Sequence, residues 1–331
     1  MIELSVIIPT RNRCQLLQKA LESLTKQTFS MERFEVIVID NGSTDDTKVI
    51  AESFVGQLKL QYHYDDRPGL HVGRHDGMKL SRSNILVFAD DDIEATSTWL
   101  EGVHESFQDE ATVLVGGKNL PKYESQPPFW ILEKWYQMCN YGHCVPELSI
   151  LDFGEEKKEI PANYVFGCNY AIRKCVLQDV GGFHPDGMPF EMIQYRGDGE
   201  TYVSQFISNH NLKTIYNPKA SIFHFVPNSR LTLDYFKKRA FCQGVELSYI
   251  NLRYHTSNDY PKHGKKLKRL FHYLSGKEIH ANIKSLLYQE SITDIEKQIE
   301  QSRKIGYSFH QHMYKTDENI RNWVHKENYL S

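Results

Sequence analysis

The chain has 331 residues and 40% hydrophobic content, enough for a globular core and longer than one core usually serves, so a main domain with an appendage is expected. A formal net charge of -3 at pH 7 excludes a global attraction to nucleic acid or anionic lipid and leaves only local patches for such partners. No run approaches the roughly 20 apolar residues that span a bilayer, and the amino terminus enters a strand pattern at once, so a cytoplasmic protein is expected. The six cysteines show no C-x-x-C pair and no disulfide framework. Cys139, His143 and Cys144 are read as isolated loop residues, and no zinc is assigned to them.

In chain order, Leu4 to Pro9 is a β-branched apolar run that stops at a proline and reads as a strand. Leu16, Leu17, Ala20, Leu21 and Leu24 fall at helical spacing, and Phe34 to Ile39 reads as a second buried strand ending in Asp40. Asn41-Gly42-Ser43-Thr44 makes a turn whose Ser43 or Thr44 caps a helix with Asp45 and Asp46 in its first turn. A strand over Leu58 to Tyr64, a helix over Val72 to Leu80 and a strand over Asn84 to Ala89 complete a βαβ rhythm. That alternation predicts a parallel sheet covered by helices, with the loops after its strands gathered on one edge.

Polar residues fall at those strand ends: Thr10-Arg11-Asn12, Asp40-Asn41 and the triplet Asp90-Asp91-Asp92. The carboxyl edge is where open α/β sheets bind ligands, and three adjacent carboxylates repel one another unless a cation is present. A solvated acidic turn is the bland reading of the triplet alone. The three ends together point to a nucleotide site, with Asp40 accepting from a base N–H and Arg74 neutralising phosphate.

These residues resemble the inverting glycosyltransferases of family 2, which have the GT-A fold. The likeness runs through Ser5 to Arg13, Val38 to Asp45, Gly69 to Gly77, Asp90 to Asp92, Phe166 to Arg173 and Val180 to Phe183, and covers about residues 3 to 226. The resemblance implies a GT-A catalytic domain over 1–228, with a nucleotide-binding half to about 115 and an acceptor half from 116, followed by a helical region over 229–331. It implies that Pro9, Thr10, Arg11, Asn12, Asp40, Asn41, Gly69, Arg74, Asp90 and Asp91 hold the nucleotide sugar, with Asp91 at the variable middle position. Asp92 would bind the metal, Mn²⁺ or Mg²⁺, and Gly167 and Asn169 would line the acceptor side. His75 stands where many members have asparagine, and no role is assigned to it.

Hard oxygen ligands suit Mg²⁺ or Mn²⁺, which would shield charge gathering on a departing diphosphate. Inversion further needs a carboxylate that takes the acceptor's proton, and Gly197-Asp198-Gly199-Glu200 supplies two candidates. The family usually shows a Glu-Asp pair here. Counting back from Asn211 to Tyr216 puts Glu200 at the base position, whereas counting by the glycine favours Asp198; Glu200 is preferred. His224, in the apolar run Ala220 to Pro227, is a metal ligand or a core histidine.

The segment Pro121 to Pro161 reads as a loop whose aromatics, Trp130 among them, stack on sugar rings or pack in the core. The basic amphipathic stretch His263 to Tyr288 either lies on anionic lipid or packs through its leucines, and one or two further helices are expected after Glu290. The expected partners are a nucleotide-diphosphate sugar, with UDP preferred, and a glycan, lipid-linked or peptide acceptor. Two other readings are a sugar nucleotidyltransferase, which would carry a glycine-rich loop that Pro9 to Arg13 lacks, and a non-catalytic carbohydrate-binding relative, which has no need of costly adjacent acids.

Overall fold

The computed structural model of the protein describes residues 1–254 and 283–330, with side chains from 292 onward in the second stretch. Its contacts divide into two units, 1–192 with 198–232 and 327–331, and 193–197 with 233–326.

The first unit is built on an eight-stranded sheet. Strands β1 (Leu4–Thr10) and β2 (Phe34–Asp40) are buried at all seven positions, the pattern of parallel strands covered on both faces. Between them α1 (Cys14–Leu24) turns Leu17, Ala20, Leu21 and Leu24 inward. α2 (Thr47–Ser53), β3 (Leu60–Tyr64), α3 (Leu70–Leu80) and β4 (Ile85–Ala89) follow. β2 and β4 flank β1 on opposite sides, both parallel to it. The strand order therefore reverses at β1, and the crevice at its carboxyl end is a topological switch point, where such sheets bind ligands.

The chain continues through β5 (Ile93–Ala95), α4 (Trp99–Ser106), β6 (Thr112–Gly116), β7 (Asn119–Tyr123), α5 (Phe129–Tyr136), β8 (His143–Val145), β9 (Ile150–Asp152) and β10 (Lys158–Glu159). Then come β11 (Asn169–Arg173), α6 (Lys174–Asp179), α7 (Glu200–Asn209), β12 (Lys213–Tyr216) and β13 (Ile222–Val226). The large sheet has the order β10-β12-β6-β11-β4-β1-β2-β3. It is mixed rather than wholly parallel, because β11 enters antiparallel between β4 and β6.

Two local expectations are corrected. α2 begins at Thr47, after Asp45 and Asp46; Asp45 instead accepts from the backbone N–H of Thr47 (3.1 Å) and of Cys14 (3.0 Å), tying the starts of two helices together. The stretch from 121 to 161 is no loop: it supplies α5, β8, β9 and the end of β7, and these strands belong to a second sheet of order β5-β13-β7-β9-β8. β8 and β9 have three residues each, too short for an alternating pattern to show. Trp130 lies half-buried on α5.

The two sheets meet around Trp99, which is fully buried. Its indole N–H donates to Asn169 Oδ1 (2.9 Å), and Asn169 Nδ2 donates to Asn119 Oδ1 (3.1 Å) and Ala220 O (2.9 Å). Asn169 is thus a buried tie between layers and does not line the acceptor side: its amide is spent satisfying groups that would each cost about 1–3 kcal/mol if left unpaired.

In the second unit α8 (Leu233–Tyr254) packs on α9 (Ile283–Thr316), and α10 (Glu318–Val324) follows. The two long helices approach closely because a Cβ at Gly244 would meet Arg303 O, and one at Gly306 would meet Phe241 O, each at 2.0 Å. Among the described residues no helix is long and apolar enough to cross a membrane. The basic stretch at 263–288 lies outside the described residues, apart from the backbone of the start of α9.

Candidate active site

The end of β1 is laced to the loops that follow its neighbours. Thr10 pairs in register with Asp40, its carbonyl accepts from Asn41 N (2.8 Å), and its hydroxyl donates to Asp91 Oδ2 (2.7 Å). Asn12, left-handed at φ 53°, offers its Oδ1 to Thr44 N (2.8 Å) while its own N–H donates to Ser43 Oγ (2.9 Å). Gly73 on α3 has no side chain because a Cβ there would lie 2.5 Å from Asn41 Oδ1 and 3.0 Å from Pro9 Cβ. Asp40 accepts from Ser43 N (2.7 Å) and from the Tyr62 hydroxyl (2.8 Å). Each carboxylate oxygen keeps a lone pair beyond these bonds. Arg11 is exposed, and Gly69 caps α3 at φ 109°, where a Cβ would strike His71.

The triplet splits into three environments. Asp91 is buried, and its two oxygens serve Thr10 and Arg13 Nη1 (2.9 Å), so it fixes the β1 end internally rather than facing a ligand. Burial pushes its carboxyl up to about 6, against the pull of Arg13. Asp90 is the most open, with a third of its side chain exposed; burial and then Asp92 raise its pKa above the ordinary carboxylate value. Asp92 gives Oδ2 to Arg230 Nη2 (2.9 Å) and Arg13 Nη1 (3.3 Å).

Its other oxygen, Oδ1, is buried and lies 3.1 Å from His224 Nε2; against the cost of burial, His224, Arg230 and Arg13 hold the Asp92 carboxyl well below the usual carboxylate range. His224 Nδ1 sits 2.9 Å from Leu148 O, an acceptor, so Nδ1 carries a proton, and Nε2 faces Asp92 Oδ1 and, at 3.4 Å, Arg230 Nη1. An imidazole fixed through its other nitrogen by a backbone carbonyl, beside a buried carboxylate, has the usual support of a metal ligand. Asp90, Cys168 and His224 also bring donor atoms within 4.8 Å of one another. A second group, His63, Asp65 and Asp76, is already bridged by Arg67, which reaches Asp65 at 2.5 Å and Asp76 at 2.9 Å.

Arg74 joins the triplet to the acceptor side. It is buried, lies over the Phe183 ring at 5.1 Å, and reaches Asp90 (3.8 Å), Asp186 (3.7 Å) and Glu200 (3.3 Å). Glu200 opens α7 behind Gly199, a glycine at φ 51°, and its Oε1 accepts from Gly167 N (3.3 Å). A Cβ on Gly167 would fall 2.3 Å from Arg74 Nη2, so only glycine fits. Side-chain exposure separates the two acids, 31% for Glu200 and 2% for Asp198. Asp198 Oδ1 sits 2.5 Å from His184 Nδ1, whose ring stacks on Tyr202 at 3.7 Å.

The structure therefore collects Thr10, Asn12, Asp40, Asn41, Arg74, Asp90, Asp92, Gly167, Glu200 and His224 along one edge, and withdraws Asp91, Asp198 and Asn169 into the fold. Sequence reasoning gave no role to Arg13, Arg230, Asp186 or Cys168. Arg13 and Cys168 lie within the quoted motifs, whereas Arg230 sits past the expected domain end, in the turn Asn228–Arg230. Five carboxylates (Asp90, Asp91, Asp92, Asp186, Glu200) meet three guanidiniums (Arg13, Arg74, Arg230) here.

A doubly wound sheet with acids at its switch point and a helical carboxyl region defines a GT-A fold. Residues 5–180 match the family model described as Glycosyl transferase family 2, and the chain belongs to that family. It is 28% identical over 203 residues to validoxylamine A glucosyltransferase of Streptomyces hygroscopicus subsp. jinggangensis, covering 55% of this chain and 47% of that protein. The chain thus spans about half the length of that relative. It is 22% identical over 262 residues to glucosyl-dolichyl phosphate glucuronosyltransferase of Haloferax volcanii, covering 78% and 80%. The solved mannosyltransferase PcManGT of Pyrobaculum calidifontis, in complex with GDP-Man and Mn²⁺, superposes with a TM-score of 0.51 at 16% identity, covering 99% of this chain and 84% of that one; this is a likeness of fold.

Proposed function

We propose that the chain transfers a sugar from a UDP-sugar to a hydroxyl of a glycan, lipid-linked or peptide acceptor, with inversion at the anomeric carbon and with Mn²⁺ or Mg²⁺. The observation that carries this reading is the Arg74 bridge: one buried guanidinium touches both Asp90 at the switch point and Glu200 at the head of α7. Leaving-group stabilisation and proton removal then belong to one site.

Asp40 and the Asn12 to Thr44 lacing hold the base and ribose end, the Asp40 carboxylate accepting the ring N–H of uracil. Asp92 and His224 hold the ion, which supplies electrostatic shielding of the diphosphate when bound. Glu200 takes the proton of the attacking hydroxyl, and Gly167 N–H and Arg74 orient its carboxylate. Arg74 also keeps the two acidic groups from repelling each other across the crevice. Preorganised charge of this kind acts without reorganising at the moment of reaction.

Incubation with UDP-, GDP- and dTDP-sugars plus Mn²⁺ tests the reading through the nucleoside diphosphate released. Release from a UDP-sugar is expected; pyrophosphate from a nucleoside triphosphate would make the chain a nucleotidyltransferase, and sugar binding without either product would make it a binding protein. Asp92→Asn should lower turnover by about a thousandfold, equivalent to several kcal/mol of lost transition-state stabilisation, with the fold retained by circular dichroism. Near-wild-type turnover in that variant would remove the ion from the mechanism.

A further inference from the structure

Cys168 has no part in the chemistry above, yet its sulfur stands at the ion site. It is 2% exposed, and its Sγ lies within 4.8 Å of a carboxylate oxygen of Asp90 and a ring nitrogen of His224. Asn119 Nδ2 reaches the same sulfur at 3.3 Å. The sulfur also faces Ser149 O at 3.8 Å, and burial with the nearby carboxylates pushes the thiol pKa up, so an ion binds there by displacing the proton. Buried Asp92 brings its Oδ1 to 3.1 Å from His224 Nε2 and so sets one more carboxylate beside the same cluster.

We propose that this site captures a thiophilic divalent ion, Zn²⁺ or Cd²⁺, through Cys168, His224 and Asp90, in competition with the hard ion used for transfer. The proposal rests on the reading of Asp92 and His224 as an ion site and adds a ligand and a form of regulation to it. Hard ions such as Mg²⁺ and Mn²⁺ prefer oxygen and leave a thiol aside, while sulfur, imidazole and carboxylate together suit Zn²⁺. Donor atoms around one Zn²⁺ lie about 3.3–3.8 Å apart, given bonds of about 2.0–2.3 Å, so the three groups need to contract by about one ångström. Coordination replaces the S–H bond with a metal–sulfur bond and passes the proton to solvent, with no change of oxidation state. The captured ion then occupies His224 and Asp90, and zinc acts as an inhibitor that Mn²⁺ relieves only in excess.

Titration of the full chain with Cd²⁺, read by the ultraviolet charge-transfer band of a cadmium–thiolate bond, tests this away from activity. One equivalent should produce the band in the wild type and in a Cys139→Ser, Cys144→Ser double variant. The band should be absent from Cys168→Ser, whose Zn²⁺ dissociation constant in equilibrium dialysis should rise at least about tenfold; circular dichroism checks the fold, and Cys168→Ala gives a second variant. A band that persists in both Cys168 variants, no band in the wild type, or equal Zn²⁺ affinity throughout overturns the proposal. Failure of the transfer reading shows up separately, as no nucleoside diphosphate released with Mn²⁺ present and zinc absent.

Discussion

The two sides of the crevice are held in different ways. At the strand ends the bonds through Thr10, Asn12 and Asp40 are 2.7–2.9 Å long, and all but the one within the turn from Asp40 to Ser43 tie β1, β2, β3 and β4 or the loops after them to one another. At α7, the Gly167 N–H and Arg74 contacts to Glu200 are both 3.3 Å, the long end for a hydrogen bond, and nearly a third of that side chain is exposed. A charge cluster that stabilises a leaving group works best fixed in place, whereas a base must turn to meet a hydroxyl and accept its proton. The rigid edge and the looser glutamate fit those two tasks.

Glu200→Gln gives the sharpest test of the contrast. The amide can still accept from Gly167 N–H but cannot take a proton, so turnover should fall about 10²–10⁴-fold with the midpoint of urea unfolding nearly unchanged. Full activity in this variant, with loss in Asp198→Asn, would move the base to Asp198. Asp198→Ala should show the opposite balance. It leaves His184 in the interior without its carboxylate, and a buried polar group deprived of its hydrogen-bond partner costs up to about 3 kcal/mol. Urea denaturation should register that loss; a stability within about 0.5 kcal/mol of wild type would mean that the pair does not hold the loop ahead of α7.

The rigid edge was the part most legible in the sequence. Buried parallel strands leave long apolar runs, so Leu4–Thr10, Phe34–Asp40 and Ile85–Ala89 announced themselves, and the polar residues at their ends followed from the architecture. The acceptor side was harder to read. The antiparallel entry of β11 between β4 and β6 looks from sequence like any other strand, and the second sheet is assembled from pieces of three to five residues. Burial was invisible too: Asp198 and Glu200 stand two residues apart, and only the fold turns one toward His184 and leaves the other at the crevice. Arg230 reaches Asp92 from 138 positions away, a pairing that no local pattern encodes.

His75 shows how the looser side is supported and gives the smallest expected effect. Its Nε2 accepts from Phe183 N (2.9 Å), so its Nδ1 carries the proton and donates to Tyr329 O (3.1 Å). Phe183 in turn carries the Arg74 guanidinium. Burial presses the His75 pKa down to about 3, so the folded chain keeps the ring neutral, while the unfolded chain protonates it near the ordinary value of about 6.5. The unfolded state therefore binds the extra proton between those values: the stabilisation is complete above about pH 6.5 and is lost as pH falls toward 3, at up to about 1.4 kcal/mol per pH unit. His310, lowered to about 4 by burial, adds the same sign in the second unit. His75→Asn should lower stability at pH 7 by about 1–3 kcal/mol through the lost hydrogen bonds, and should make the decline from pH 6.5 to 4.5 shallower by about one proton's worth. An unchanged slope would mean that the ring is already charged in the folded chain, which would require the bond from Phe183 N to be broken and Arg74 to rest on a different support.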